Sequence, residues 1–154
     1  REYDKSLAEG ERGVALAPGS ELVHLAYAMS LHYAGRFEDA IPMFQKAIRL
    51  NPFGSTGVFV NFGHALRAAG RFEEAVSAYK KSLQRAPDNF FAHLGLTATY
   101  SMMGREKEAR DEAAEVLRVN PKFSLDYSAR IISVFRDQSV TDKLINALRK
   151  AGLK

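Results

Sequence analysis

The feature that most constrains this chain is a pattern written three times. Ala34–Pro52 reads A-G-R-F-E-D-A-I-P-M-F-Q-K-A-I-R-L-N-P, Ala69–Pro87 reads A-G-R-F-E-E-A-V-S-A-Y-K-K-S-L-Q-R-A-P, and Met103–Pro121 reads M-G-R-E-K-E-A-R-D-E-A-A-E-V-L-R-V-N-P. The glycines fall at 35, 70 and 104 and the prolines at 52, 87 and 121, so both markers step by 35 and then 34 residues. One extra residue sits in the loop at 53–55. Pro18 stands 34 residues before Pro52, which marks a fourth, partial copy at the start. A unit of this length cannot bury its apolar stripe alone. Stacked copies bury a continuous one, so the period points to a solenoid.

Each copy reads as two helices. Over 56–69, Phe59, Phe62, Gly63 and Leu66 recur at helical spacing. Gly70 stands where a helix ends in a left-handed residue. A second helix is expected over about 72–85, with Ala75, Tyr79 and Ser82 on one face and Pro87 as its stop. Ala40, Ala75 and Ala109 are equivalent small residues that let paired helices approach, and Phe44 and Tyr79 fill the space beside them. Pro42 lies inside a second helix, where it removes an intrahelical bond if it falls beyond the fourth residue. The expected organisation is one unit over 1–154: a second helix at 1–18, full repeats at 21–52, 56–87 and 90–121, and a capping helix pair at 124–151.

With these positions aligned, the chain resembles the tetratricopeptide repeat. The 34-residue period, the Gly-x-Phe-x-x-Ala between helices and the closing Ala-x-x-x-x-Pro carry the resemblance over Glu21–Pro121. The departures are His24 and His93 at the usual Trp position, Ala113 in place of the second-helix aromatic, and Ser6, Gly10 and Gly13 in the leading copy. The resemblance implies an all-α, right-handed superhelical solenoid of about nine antiparallel helices. Because the chain opens inside a repeat, a fragment of a longer polypeptide is expected.

The tail reads as a cap. Ser124–Arg136 is expected to be a further first helix. Ser139-x-x-Asp142 fits a helix start, and Val140, Leu144, Ala147, Leu148 and Ala151 share an apolar face closed by Gly152. Asn120-Pro121-x-Phe123-Ser124 and Leu148-Arg149-Lys150-Ala151-Gly152-Leu153 also resemble the C-terminal repeat region of bacterial class III adenylate cyclases and related regulators. That resemblance implies the non-catalytic regulatory part of a signalling protein.

A second stripe on each first helix is left over from stacking. It comprises Leu22, Leu25, Met29, His32 and Tyr33, then Gly57, Val60, His64, Arg67 and Ala68, then Phe91, Leu94, Ala98, Ser101 and Met102. Helical spacing puts each set on one face. The tetratricopeptide resemblance implies that these faces line a concave groove. The apolar content suits a peptide or domain with apolar anchors, and Tyr33, His32, His64 and Arg67 add polar ones. The competing expectation is that the chain's own C-terminal helix, or a missing N-terminal part, covers this face, since large apolar patches seldom stay bare. Self-association through it is a further expectation.

A chaperone-type carboxylate clamp would need Lys, Asn, Asn, Lys and Arg at Leu25, Met29, Asn61, Phe91 and Gly95, and only Asn61 agrees. Acidic chaperone tails are therefore not expected as partners. Residues 46–85 carry Lys46, Arg49, Arg67, Arg71, Lys80, Lys81 and Arg85 against Glu73 and Glu74, a net +5. Without interleaved aromatics this reads as a solvated face before it reads as a nucleic-acid surface.

The chemistry-bearing signals are sparse. There is no cysteine, which excludes thiol nucleophiles and cysteine-ligated zinc. No phosphate-cradling glycine motif is present. His24 and His93 are expected to be packing residues, and a His32–His64 pair lacks further ligands. No enzyme activity, metal or cofactor is expected. No apolar run approaches the ~18 residues of a membrane span. With no signal-like start, the expected location is cytoplasmic.

Overall fold

The computed structural model describes residues 2–126 and 136–154. Among them are eight helices: α1 Glu2–Leu16, α2 Glu21–Tyr33, α3 Phe37–Leu50, α4 Thr56–Ala68, α5 Phe72–Arg85, α6 Phe90–Met102, α7 Glu106–Val119 and α8 Gln138–Lys150. Helices α2/α3, α4/α5 and α6/α7 are the pairs of the three full copies, and α1 packs on α2 as the second helix of the leading copy. Between copies, the second helix packs on the next first helix, α3 on α4 and α5 on α6. The expected first helix at 124–136 falls mostly on 127–135, outside the described residues.

The repeated glycines close their helices in one way. Gly35, Gly70 and Gly104 have φ of +81°, +79° and +73°. In the second copy the Gly70 N–H donates to Arg67 O at 2.9 Å and the Arg71 N–H to Leu66 O at 2.8 Å. These are the two bonds of a Schellman end, and the left-handed residue they require favours glycine. The arginine after each glycine then pairs three residues on, Arg36 with Asp39, Arg71 with Glu74 and Arg105 with Glu108. So the Gly-Arg-x-x-acid string is both a stop and a start.

The core runs through all copies. Ala40, Ala75 and Ala109 are essentially fully buried, as are Phe44 and Tyr79. Pro42 is the sixth residue of α3, so the helix lacks the bond its N–H would have made to the first turn. The ring stays exposed and α3 continues past it.

The C-terminal helix differs from expectation in its start. Its N-cap is Asp137, which accepts the Ser139 N–H at 2.9 Å, two residues before the expected Ser139. That bond holds the Asp137 carboxyl below the usual carboxylate range. The C-terminal end fits: Gly152 has φ +101°, the Leu153 N–H donates to Leu148 O, and Leu148 and Leu153 are both buried. The apolar contact across a Schellman end explains that residue pair.

Candidate functional site

The leftover stripe is a shared face, but little of it is open. Leu22 at 71% and Phe91 at 61% exposure stand out from the solenoid. Leu25, Met29, Tyr33, His64 and Met102 are half-buried. His32, Val60, Arg67, Leu94, Ala98 and Ser101 are buried. At these six positions the side chains are not open to a partner.

One cause is α8. It packs along α6, and every residue of α6 from Ala92 to Ser101 is buried. Leu144, Ala147 and Leu148 of α8 and Ala151 at its C-cap join the same core cluster as Leu94 and Ala98. The chain also returns to the first repeat: the Arg136 N–H donates to Tyr33 O at 3.0 Å, and its guanidinium lies 3.5 Å from Asp4. The Leu125 N–H donates to Lys154 O at 2.9 Å, which ties the last residue to the segment after α7. The C-terminal part therefore reaches the stripe-bearing helices at Tyr33 of α2 and along α6. On α6 the protein's own C-terminal helix lies against a stretch whose residues from Ala92 to Ser101 are buried, while Phe91 stays exposed.

At the centre of the stripe is a polar cluster that spacing alone did not reveal. The Tyr79 side chain passes between α4 and α6 beside Gly63 and Gly95, where a β-carbon would come closer than 3.0 Å to its ring. Its hydroxyl reaches His64 Nδ1 at 2.7 Å and accepts from Arg67 Nη1 at 3.3 Å. Burial raises the Tyr79 hydroxyl to about 12. Burial and the Arg67 charge lower His32 to about 3 and hold His64 well below its usual value. These shifts move all three groups away from neutral pH, the reverse of what general acid–base catalysis uses. The signal for this cluster was available: glycine at 63 and 95 inside helices otherwise costs stability, and a large ring between them is the compensation.

The remaining histidines are structural. His24 Nδ1 lies 2.8 Å from Ser20 O. His93 meets Glu112 Oε2 at 2.6 Å through Nδ1 and Pro87 O at 2.8 Å through Nε2. It thus replaces the usual large aromatic with two hydrogen bonds. Among the described residues no three His, Cys, Asp or Glu side chains gather to hold a metal ion. No described helix is long and apolar enough to cross a membrane.

The basic stretch is partly spent internally. Arg67 is buried, Arg71 pairs with Glu74 and Glu38, and Arg85 donates to Gly54 O at 2.8 Å and Phe53 O at 3.1 Å. Lys46, Arg49, Lys80 and Lys81 remain, without an ion pair among the described residues.

Comparison with known proteins agrees with this geometry. Residues 66–129 match one tetratricopeptide-repeat family model and residues 23–53 match another. Among solved structures, MamA of MSR-1 is similar at a TM-score of 0.71 and 25% identity, covering 78% of this chain and 68% of that one. MamA from Desulfovibrio magneticus RS-1 is similar at a TM-score of 0.72 and 14% identity, covering 96% and 81%. YrrB, described as a TPR protein with an unusual peptide-binding site, is similar at 0.67 and 17% identity, covering 97% and 76%. No curated protein sequence matches the chain. The stacked helix pairs, their glycine ends and these matches lead to one conclusion: the chain is a solenoid of tetratricopeptide repeats.

Proposed function

We propose that this chain is a protein-interaction module that holds a partner peptide or domain and contributes no reaction chemistry of its own. The observation that carries this reading is the pair of bare side chains Leu22 and Phe91 on the stripe face, beside half-buried Leu25, Met29 and Met102. Large apolar groups left in water on a repeat scaffold are what a partner's apolar anchors bury. The description of YrrB as a peptide-binding repeat protein supports the same class of ligand. The stripe's buried residues (His32, Val60, Arg67, Leu94, Ala98) then support the face rather than touch the partner. The tail motifs at Asn120–Ser124 and Leu148–Leu153 favour a place in the regulatory part of a larger bacterial signalling protein, acting in the cytoplasm. Packing at the helix end also accounts for Leu148, Gly152 and Leu153.

A second reading, a structural module docked on itself, is favoured by α8 lying against α6 and by the Arg136 bond to Tyr33. Nucleic-acid binding through 46–85 has less support, since three of its seven cations are engaged internally.

A displayed random-peptide selection on the whole chain, run beside sedimentation equilibrium, tests the reading. Enriched peptides with apolar anchors that fail to bind Leu22→Glu/Phe91→Glu support it. Association of wild type lost in that variant places a second copy on the face. No enriched peptide and no association would leave the structural module as the function.

A further inference from the structure

On the face formed by the second helices, a cavity of about 410 Å³ opens between α3 and α5 over α4. Its apolar lining is Phe59, Phe62 and Leu66 of α4, Ile48 of α3 and Ala78 of α5. A small residue stands on its wall. Ala78 is the seventh residue of α5, and the seventh residues of α3 and α7 are Met43 and Glu112. Met43 packs against the core, and Glu112 is bonded to His93. Each neighbouring position thus carries a long side chain where α5 carries a methyl group.

The rim is cationic. Arg49 and Lys81 line the opening and make no ion pair among the described residues. Glu74, the acidic residue there, is already held by Arg71 through two hydrogen bonds of 2.7 and 2.8 Å. Exposed Lys80 lies next to Lys81 on the same helix. A pocket with an aromatic floor and an unneutralised basic rim matches a segment with one apolar anchor flanked by carboxylates.

We propose that the α3–α5 cavity is a second docking site, which takes a single Phe or Leu side chain of an acidic peptide. Arg49 and Lys81 pair with the flanking carboxylates, and Phe59 and Phe62 receive the anchor. The site is independent of the stripe face, so either can fail alone.

The probes are fluorescent peptides with one Phe or Leu flanked by Asp and Glu at varied spacing, read by anisotropy against the whole chain. Controls replace the anchor with Ala or the acids with Lys. The expected result is binding to wild type that weakens with salt and is lost with either control. Ala78→Met, which restores the residue found at the equivalent position of α3, and Arg49→Glu/Lys81→Glu, both at exposed positions, should each weaken binding about tenfold or more. Leu22→Glu/Phe91→Glu should not change it. Thermal melts verify that the variants fold, and the exposed charge reversal keeps the test decisive if Ala78→Met is destabilised. The proposal is overturned by no binding from any peptide of the set, or by binding indifferent to both cavity variants. Self-association of the wild type that is lost in them would also overturn it, by making a second copy the occupant.

Discussion

The Tyr79 ring occupies the space that a β-carbon on Gly95 would need. Such a carbon would lie closer than 3.0 Å to the ring, and one on Gly63 would lie 2.7 Å from Tyr79 Cε1. Two helices from adjacent repeats therefore give up a side chain each so that one tyrosine can reach His64 and Arg67. Gly95→Ala should destabilise the fold by roughly 1–3 kcal/mol, because overpacking outweighs the helix propensity gained. Gly13→Ala, whose new carbon would sit 3.7 Å from Val23, is the contrasting case and should stabilise by about 0.4–1 kcal/mol. Urea midpoints of the two variants check both signs.

Ala75 is completely buried where α5 crosses its partner helix. Ala75→Leu should cost roughly 1–3 kcal/mol by overpacking. An unchanged melting temperature would mean that the helix pair does not close on this residue.

Two residues in the first part of α6 should respond very differently to the same charge. Phe91→Glu, at 61% exposure, should change stability by no more than about 0.5 kcal/mol. Leu94→Glu puts a carboxylate at a buried position of the core, and should destabilise the fold strongly, by roughly 3 kcal/mol or more. Chemical denaturation of the two single variants separates them.

Stability should fall as pH drops below 6.5. His32 titrates near 3 in the folded chain and His64 well below its usual 6.5, so both stay neutral where the unfolded chain takes up protons. A depressed folded value means that the contribution is fully present above about 6.5 and is lost towards the folded value. At pH 5 each histidine should cost up to about 2 kcal/mol relative to pH 7.5. His32→Leu should remove its share of the slope in melting temperature between these pH values.

Much of the architecture was legible from the sequence because it is local. A glycine that must be left-handed, an arginine reaching an acid three residues on, and a proline closing the loop are short-range requirements. They repeat at 35 and 34 residues and so give helix ends within a residue or two. The small–aromatic pairing of Ala75 with Tyr79 was legible for the same reason. The start of α8 was less so, because Asp137 and Ser139 are both competent caps and their spacing does not choose between them.

The sequence by itself determined the repeat, the ends of the helices within the three copies and which residues share a face. Only the tertiary structure decided which faces stay open. Leu94 and Phe91 belong to one stripe by spacing, yet in the packed solenoid, with α8 lying along α6, one is buried and the other stays in water. The cavity over Phe59 and Phe62 is likewise lined by Ala78 of a different helix. Periodicity fixes where a side chain projects from its own helix. What it meets there is set by segments distant along the chain, whose arrival is decided by the summed burial of the whole stack.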